Sequence, residues 1–369
     1  MTKARGKPRR PDAEWPKIVA APDKFRHTAT AAEIAAAVVA AAEPRGRQVV
    51  SIPLADGGEG TLEALARHGG SLRSTTVTGP LGDAVRAEWL LIGESAFIEM
   101  ARASGLELVG GAGGNDPLAA STYGTGELIA AAIQAGARRV VVTLGGSATT
   151  DGGFGALRAL EPLVRLKGVR LEVACDVDTR FLDAAPVFAP QKGASGPQTE
   201  LLRRRLDRLA DVYLEERGID VRTLPGGGAA GGLAGGLASI GARLVPGFDL
   251  VADAVGLESA IDGAELVVTG EGQLDEQSFR GKVVGGTAAI AAERGVPLLV
   301  VVGHRREDQA LSEAIEGARR ASSAPVLFVS LTDRLGRERA WADPCAGVRE
   351  VVGAYLDGER SMAGLFAGA

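Results

Sequence analysis

Short apolar runs rich in β-branched residues punctuate the chain: "KIVAA" from residue 17, "QVVSI" from 48, "VVVTL" from 140, "LEVACDV" from 171, "LVVTG" from 266, "LLVVVG" from 298 and "VLFVSL" from 326. Between most of them lie alanine- and leucine-rich segments with helical spacing, such as "AAEIAAAVVAAAE" and "GELIAAAIQAGA". Short strands alternating with helices predict an α/β fold with a largely parallel sheet, because a crossover helix is what returns the chain to a parallel neighbour. Thr30 followed by Glu33 predicts a capping box at a helix start, and Gly69 and Gly136 stand where left-handed helix ends are expected.

One segment departs from this pattern. In "VTGPLGDAVRAEWLLIGESAFIEMARASG", from residue 77, apolar positions alternate between Gly-Pro and Gly-Glu turns, which predicts antiparallel strands and places a change of architecture near residue 76. Further on, "QTELLRRRLDRLADVYLEERG" reads as a charged amphipathic helix whose arginines form a solvated face.

Composition narrows the function. With 369 residues, 24% charged and 46% hydrophobic, the chain is long enough for two domains of ordinary globular character. A net charge of -5 gives no broad positive field, so neither nucleic acid nor an anionic membrane is expected as partner, and a small ligand is. No apolar run approaches the roughly 20 residues that span a bilayer. Cys175 and Cys345 are far apart and lack metal-ligand spacing, which fits a reducing cytoplasm. The start, "MTKARGKPRRPDAEWP", is basic but has no apolar stretch after its charges, and residues 1–16 read as a loose basic tail. The sequence does not specify an oligomeric state; a homodimer is compatible with it. The 52 glycines against 9 Phe, 3 Tyr and 3 Trp predict many tight turns and close backbone approaches.

In parallel α/β sheets, ligands bind beyond the carboxyl ends of the strands. Several loops there are glycine-rich and carry one acid. "LGGSATTDGG", 144–153, supplies Gly145, Gly146 and Ser147 as a backbone nest for phosphate, with Asp151 as metal ligand or helix-start acid. "STYGTGE" sets the hydroxyls of Ser121, Thr122 and Thr125 beside Gly124 and Gly126, more than one N-cap requires. "PLADGGEGT" offers Asp56, Gly57, Gly58 and Glu59 before a helix, where an anion or Mg²⁺ could sit. "APDKFRHT" gathers Asp23, Lys24 and Arg26 just before the capped helix. "ACDVDT" presents Asp176 at a strand end, able to bind Mg²⁺ or take a proton from a hydroxyl, and "APQKGAS" adds Lys192. "VVTGEGQLDEQSFRGK" collects Glu271, Gln273, Asp275 and Lys282. Lys282 is not a Walker A lysine, because Glu276 and Val283 stand where that motif needs glycine and a hydroxyl. Gly226, Gly227 and Gly228 open "GGGAAG", which formally matches a dinucleotide fingerprint but follows Pro225 and a helical stretch instead of a strand. Helix packing and a nucleotide loop are both open for it. Each of the other loops also has a plain reading as a capped glycine turn.

Taken together and in this order, these motifs, with "AFIEMARASGL" and "GGGAAGGLAGGL", closely resemble the bacterial glycerate kinase family, the type that phosphorylates glycerate at the 2-position. The resemblance runs from about residue 17 to 303. It implies two α/β domains: a flavodoxin- or Rossmann-like one from 17–75 with 256–369, and a mixed α/β one at 76–255 inserted into it, with the active site in the cleft. It also implies ATP as co-substrate, Mg²⁺ as cofactor and glycerate as substrate. Family members often carry Ser and Lys at the positions of Lys24 and Arg26, Asn at Thr150 and Arg at Gln273. Within that frame Asp176 and Asp151 are expected to hold the metal or the hydroxyl proton, and Lys24, Arg26 and Lys282 the substrate carboxylate or the moving phosphoryl group. A kinase of another small hydroxy acid or polyol, a nicotinamide-dependent oxidoreductase and a non-catalytic nucleotide-binding regulator are the competing readings.

Overall fold

The computed structural model describes residues 17–58 and 60–358. The expected basic tail at 1–16 and the candidate Glu59 lie outside them. In chain order the strands are β1 (Lys17–Ala20), β2 (Gln48–Ser51), β3 (Ser71–Thr78), β4 (Ala84–Ile92), β5 (Ser95–Glu99), β6 (Arg139–Thr143) and β7 (Arg170–Ala174). They continue as β8 (Arg243–Val245), β9 (Leu266–Thr269), β10 (Gln273–Leu274), β11 (Leu298–Val302), β12 (His304–Arg305) and β13 (Val326–Ser330). Each apolar run quoted above forms one of these strands.

The chain divides into two compact units: residues 1–53, 256–276 and 287–369, and residues 54–255 with 277–286. The break falls at Leu54, whereas the change of hydrophobic pattern suggested residue 76.

The first unit is built on a five-stranded sheet of order β13-β11-β9-β1-β2, parallel throughout. Its inner strands are buried on both faces, which is why "LVVT" and "LLVVV" read as unbroken apolar runs. The helix Ala31–Ala42 starts on the expected capping box, Thr30 Oγ1 accepting from the Glu33 N–H and the Glu33 carboxylate accepting from the Thr30 N–H. It packs on the helix Pro344–Leu356 over Ile34, Val38, Val348 and Val352, each buried at about 1.5–3 kcal/mol of transfer free energy.

The second unit holds a six-stranded sheet of order β3-β4-β5-β6-β7-β8. The β3–β4 and β4–β5 pairs are antiparallel, as the alternating pattern predicts, and the rest are parallel. Its core is one cluster that includes Trp89, Ile98, Leu128, Val142, Phe181 and Tyr213. Glu99, buried at the end of β5, accepts from the N–H groups of Gly60 and Leu62 and so fixes the start of the helix Thr61–Ala66 that follows the Asp56 loop. The helix Gly196–Arg217 lays Leu202, Leu206, Ala210 and Tyr213 on the core and leaves Arg203 and Arg204 paired with Glu200 at the surface. Among the described residues no helix is long and apolar enough to cross a membrane.

Candidate active site

In the second unit β6 and β7 are parallel neighbours, Thr143 opposite Ala174, so the loops 144–153 and 175–178 leave the sheet side by side at its carboxyl edge. The first loop is tied down almost wholly through its oxygen atoms. Leu106 N–H donates to the Gly146 carbonyl, Asn115 Nδ2 to the Ala148 carbonyl at 3.0 Å, and Lys192 Nζ to Ser147 Oγ at 2.8 Å and to the Thr149 carbonyl at 2.6 Å. Within 145–150 only the Ala148 N–H is spent, on the Ser104 carbonyl. The N–H groups of Gly145, Gly146, Ser147, Thr149 and Thr150 meet no acceptor among the described residues. The same holds for the buried Thr149 and Thr150 hydroxyls. A stretch that leaves five of its six N–H groups without an acceptor suits an anion.

The second loop presents Asp176. Its Oδ1 accepts from the Gly247 N–H at 2.8 Å, while Oδ2 accepts from no donor among the described residues. Although the residue is exposed on its outer side, its carboxyl is pushed up to about 6. The protein atoms that crowd out water are the main cause, opposed by the Gly247 hydrogen bond; Asp56 raises it further, Lys282 lowers it and Asp249 raises it. Gly57 and Gly247 allow this crowding, for a Cβ on Gly57 would stand 2.6 Å from Gly247 Cα and one on Gly247 2.1 Å from the Asp56 carbonyl oxygen. Asp56 Oδ1 accepts from the Gly58 N–H in a local turn. Asp56, Gly57, Gly58, Asp176 and Lys282 are therefore neighbours. Gly247 and Asp249 were not foreseen; the signal was "PGFD" following the strand β8.

Other candidates prove to be committed to the protein itself. Asp151 accepts from the Thr122 N–H and hydroxyl, both at 2.8 Å, and from the N–H groups of Gly153 and Gly155. With its lone pairs so engaged it serves as a tie between two helix starts, which leaves it unsuited to ligate a metal or accept a proton. Thr125 shares a hydrogen bond with Ser104 in the core, and Ser121 Oγ accepts from the Tyr123 N–H. Gly124 and Gly126 are glycine for packing: a Cβ would lie 1.9 Å from the Thr78 carbonyl oxygen and 2.3 Å from that of Ala156. Thus the hydroxyls and glycines of 121–126 face neighbouring helices and strands, a use that the letters alone do not separate from a phosphate cradle.

The "GGGAAG" run is likewise a packing element. A Cβ on Gly226 would meet Cys175 Sγ at 2.7 Å, on Gly228 the Arg180 carbonyl oxygen at 2.3 Å, and on Gly231 the Thr149 carbonyl oxygen at 2.0 Å. Gly227 approaches the Leu224 carbonyl oxygen more loosely. Ala230, Gly231 and Gly232 all take left-handed backbone angles, φ 51°, 68° and 89°, which turn the chain so that the Gly231 carbonyl accepts from Gly152 N–H. The segment is a bare-backbone wedge touching both loops. Lys192 is buried, and burial lowers its ammonium to about 7 against the favourable charge of Asp151.

In the first unit, the Asp23 N–H donates to the Gly270 carbonyl, and Gly272 lets the backbone of Arg26 approach, a Cβ there standing 3.0 Å from Arg26 N. This brings Asp23, Lys24 and Arg26 beside Glu271 and the short β10–β12 pair that carries Gln273, with Asp275 following it. Asp23 is buried and accepts from the Lys24 N–H, whereas Arg26 is exposed.

The profile of the Glycerate kinase family matches residues 18–164 and 161–341. The glycerate 2-kinase of Escherichia coli K12 is 40% identical over 79% of this chain and 86% of its own length, and the glycerate kinase of Bacillus subtilis 168 is 39% identical over the same shares. A crystal structure from Salmonella typhimurium LT2, provisionally assigned as glycerate kinase 2, superposes with a TM-score of 0.79 at 35% identity and covers 94% of this chain and all of that one. The chain belongs to the glycerate kinase family.

Proposed function

We propose that the protein transfers the γ-phosphoryl group of ATP to the 2-hydroxyl of glycerate, in the cytoplasm. The observation that carries this reading is the pairing, at one sheet edge, of a donor-rich loop with a carboxylate whose second oxygen is open and whose acidity lies near neutrality. The loop 145–150 would hold phosphate oxygens through its N–H groups. Asp176 would accept the proton of the substrate hydroxyl as that oxygen forms its bond to the γ-phosphorus and the bond from phosphorus to the β-bridging oxygen breaks, ADP leaving with the electron pair. A carboxylate with an affinity for protons near the working pH suits that task better than one fully ionised at low pH.

A divalent ion fits the same surface. Asp56 has an Oδ2 that accepts from no described donor, and Mg²⁺ binds through one or two carboxylates together with phosphate oxygens and water. When bound there it would supply charge neutralisation at the phosphates. Lys282, close enough to act on Asp176, would favour the developing negative charge.

Phosphorus NMR of a reaction containing ATP and D-glycerate tests activity, substrate and regiochemistry together. A 2-phosphoglycerate resonance with release of ADP is expected, and its absence with the folded protein overturns the reading. Lys24, Arg26 and Gln273 differ from what relatives often carry, so another small hydroxy acid is the second reading, decided by a substrate panel with the same readout.

A further inference from the structure

Lys192 stands out among the charged side chains of the second unit. It is 3% exposed, donates to Ser147 Oγ and the Thr149 carbonyl, and makes no ion pair within 4.0 Å among the described residues. A buried ammonium facing only neutral oxygens is costly unless an anion comes to it. Asn115 strengthens the link, since its Nδ2 donates both to the Ala148 carbonyl and, at 2.9 Å, to the carbonyl of Lys192 itself. Three of these four bonds consume an oxygen of the loop, and the fourth ties Asn115 to the backbone of the lysine itself. The N–H groups of 145–147 and 149–150, and the buried Thr149 and Thr150 hydroxyls, meet no partner among the described residues.

We infer that Lys192 is a positioning residue for nucleotide phosphate: it fixes the Ser147–Thr149 turn with its donors presented, and its charge is balanced when a phosphate anion seats on them. This rests on the kinase reading for the identity of the anion. Burial holds the ammonium near 7 without ligand, so above neutrality the lysine is largely uncharged until phosphate arrives. Of the ionisable groups around it, Asp151 on the loop favours its charge. Tyr213, from the helix Gly196–Arg217, is a neutral phenol donating to the Gly152 carbonyl, and the 106–115 segment contributes the uncharged Asn115. Seating the phosphates therefore draws in a proton.

Calorimetry of ATP binding to the full chain at pH 8, in buffers of differing ionisation enthalpy, should show uptake of nearly one proton per ATP, since a group titrating near 7 is about nine-tenths neutral there. In Lys192→Met, which keeps the stem and removes the charge, the uptake should vanish. KM for ATP should rise by about 10- to 100-fold, the loss expected of a charged hydrogen-bonding group, while KM for glycerate stays put. A folded Lys192→Met with unchanged KM for ATP overturns the inference, as does ATP binding without proton uptake by the natural chain, a measurement that stands even if the variant does not fold. Proton-linked ATP binding without phosphorylation of glycerate would leave the role of Lys192 standing and remove the glycerate reading instead.

Discussion

Asp151 and Asp176 lie in the loops that follow adjacent parallel strands and look interchangeable on paper, yet the fold uses them in opposite ways. Asp151 is wrapped by backbone and hydroxyl donors from two helix starts. Asp176 takes one backbone hydrogen bond, keeps an oxygen open and is raised toward neutrality by crowding and by Asp56. The first arrangement buys rigidity at the expense of reactivity, the second the reverse.

The largest effect that can break this contrast is Asp176→Asn. Loss of a positioned proton acceptor should lower kcat by about 10²- to 10⁴-fold. The melting temperature should hold or rise, because a carboxylate ionised against its surroundings is removed. Near-natural turnover at saturating ATP would remove Asp176 from the chemistry. Asp151→Ala should behave in the opposite sense. Stranding its donors is expected to cost about 3 kcal/mol of stability, read by denaturant unfolding, and an unchanged midpoint would sink the structural assignment. Gly231→Ala comes next: a Cβ 2.0 Å from the Thr149 carbonyl oxygen, at φ 68°, should destabilise by about 2 kcal/mol and raise KM for ATP by displacing the loop that carries it. The smallest effect needs no mutation. Asp176 must be deprotonated to accept the hydroxyl proton, so kcat should rise with pH through about 6 and level off above it. In acid it should fall about tenfold for each pH unit. A flat profile from pH 5 to 8 would contradict the role.

Much of this was legible before folding was considered. The β-branched runs named their strands because inner parallel strands must be apolar on both faces, and the Thr30–Glu33 capping box is a purely local interaction. The donor-rich character of 144–153 was legible as well, since glycines between strand and helix leave amides exposed in any context. What the letters could not separate is a glycine that meets phosphate from one that meets a backbone. Gly124, Gly126, Gly226 and Gly228 are set by carbonyls and a sulfur tens of residues away, and nothing local encodes that approach. For Asp151, read as metal ligand or helix-start acid, the choice turns in part on Thr122, which lies far back in the chain and supplies two of its hydrogen bonds. The burial of Lys192 depends on a loop 45 residues earlier, and Asn115 gave no sign of its clamp.

The wedge at 226–236 has one more consequence. Because the main chain of this segment packs on both the Cys175–Val177 turn and the Thr149–Gly152 turn, the spacing between the Asp176 loop and the 144–153 loop is gauged by the thickness of a polypeptide. No rotamer can stretch or shorten it. Engineering toward acceptors of another length would then have to leave the glycine spacer as it is, and the Asp56–Gly247 contact too, since a Cβ on Gly247 would stand 2.1 Å from the Asp56 carbonyl oxygen.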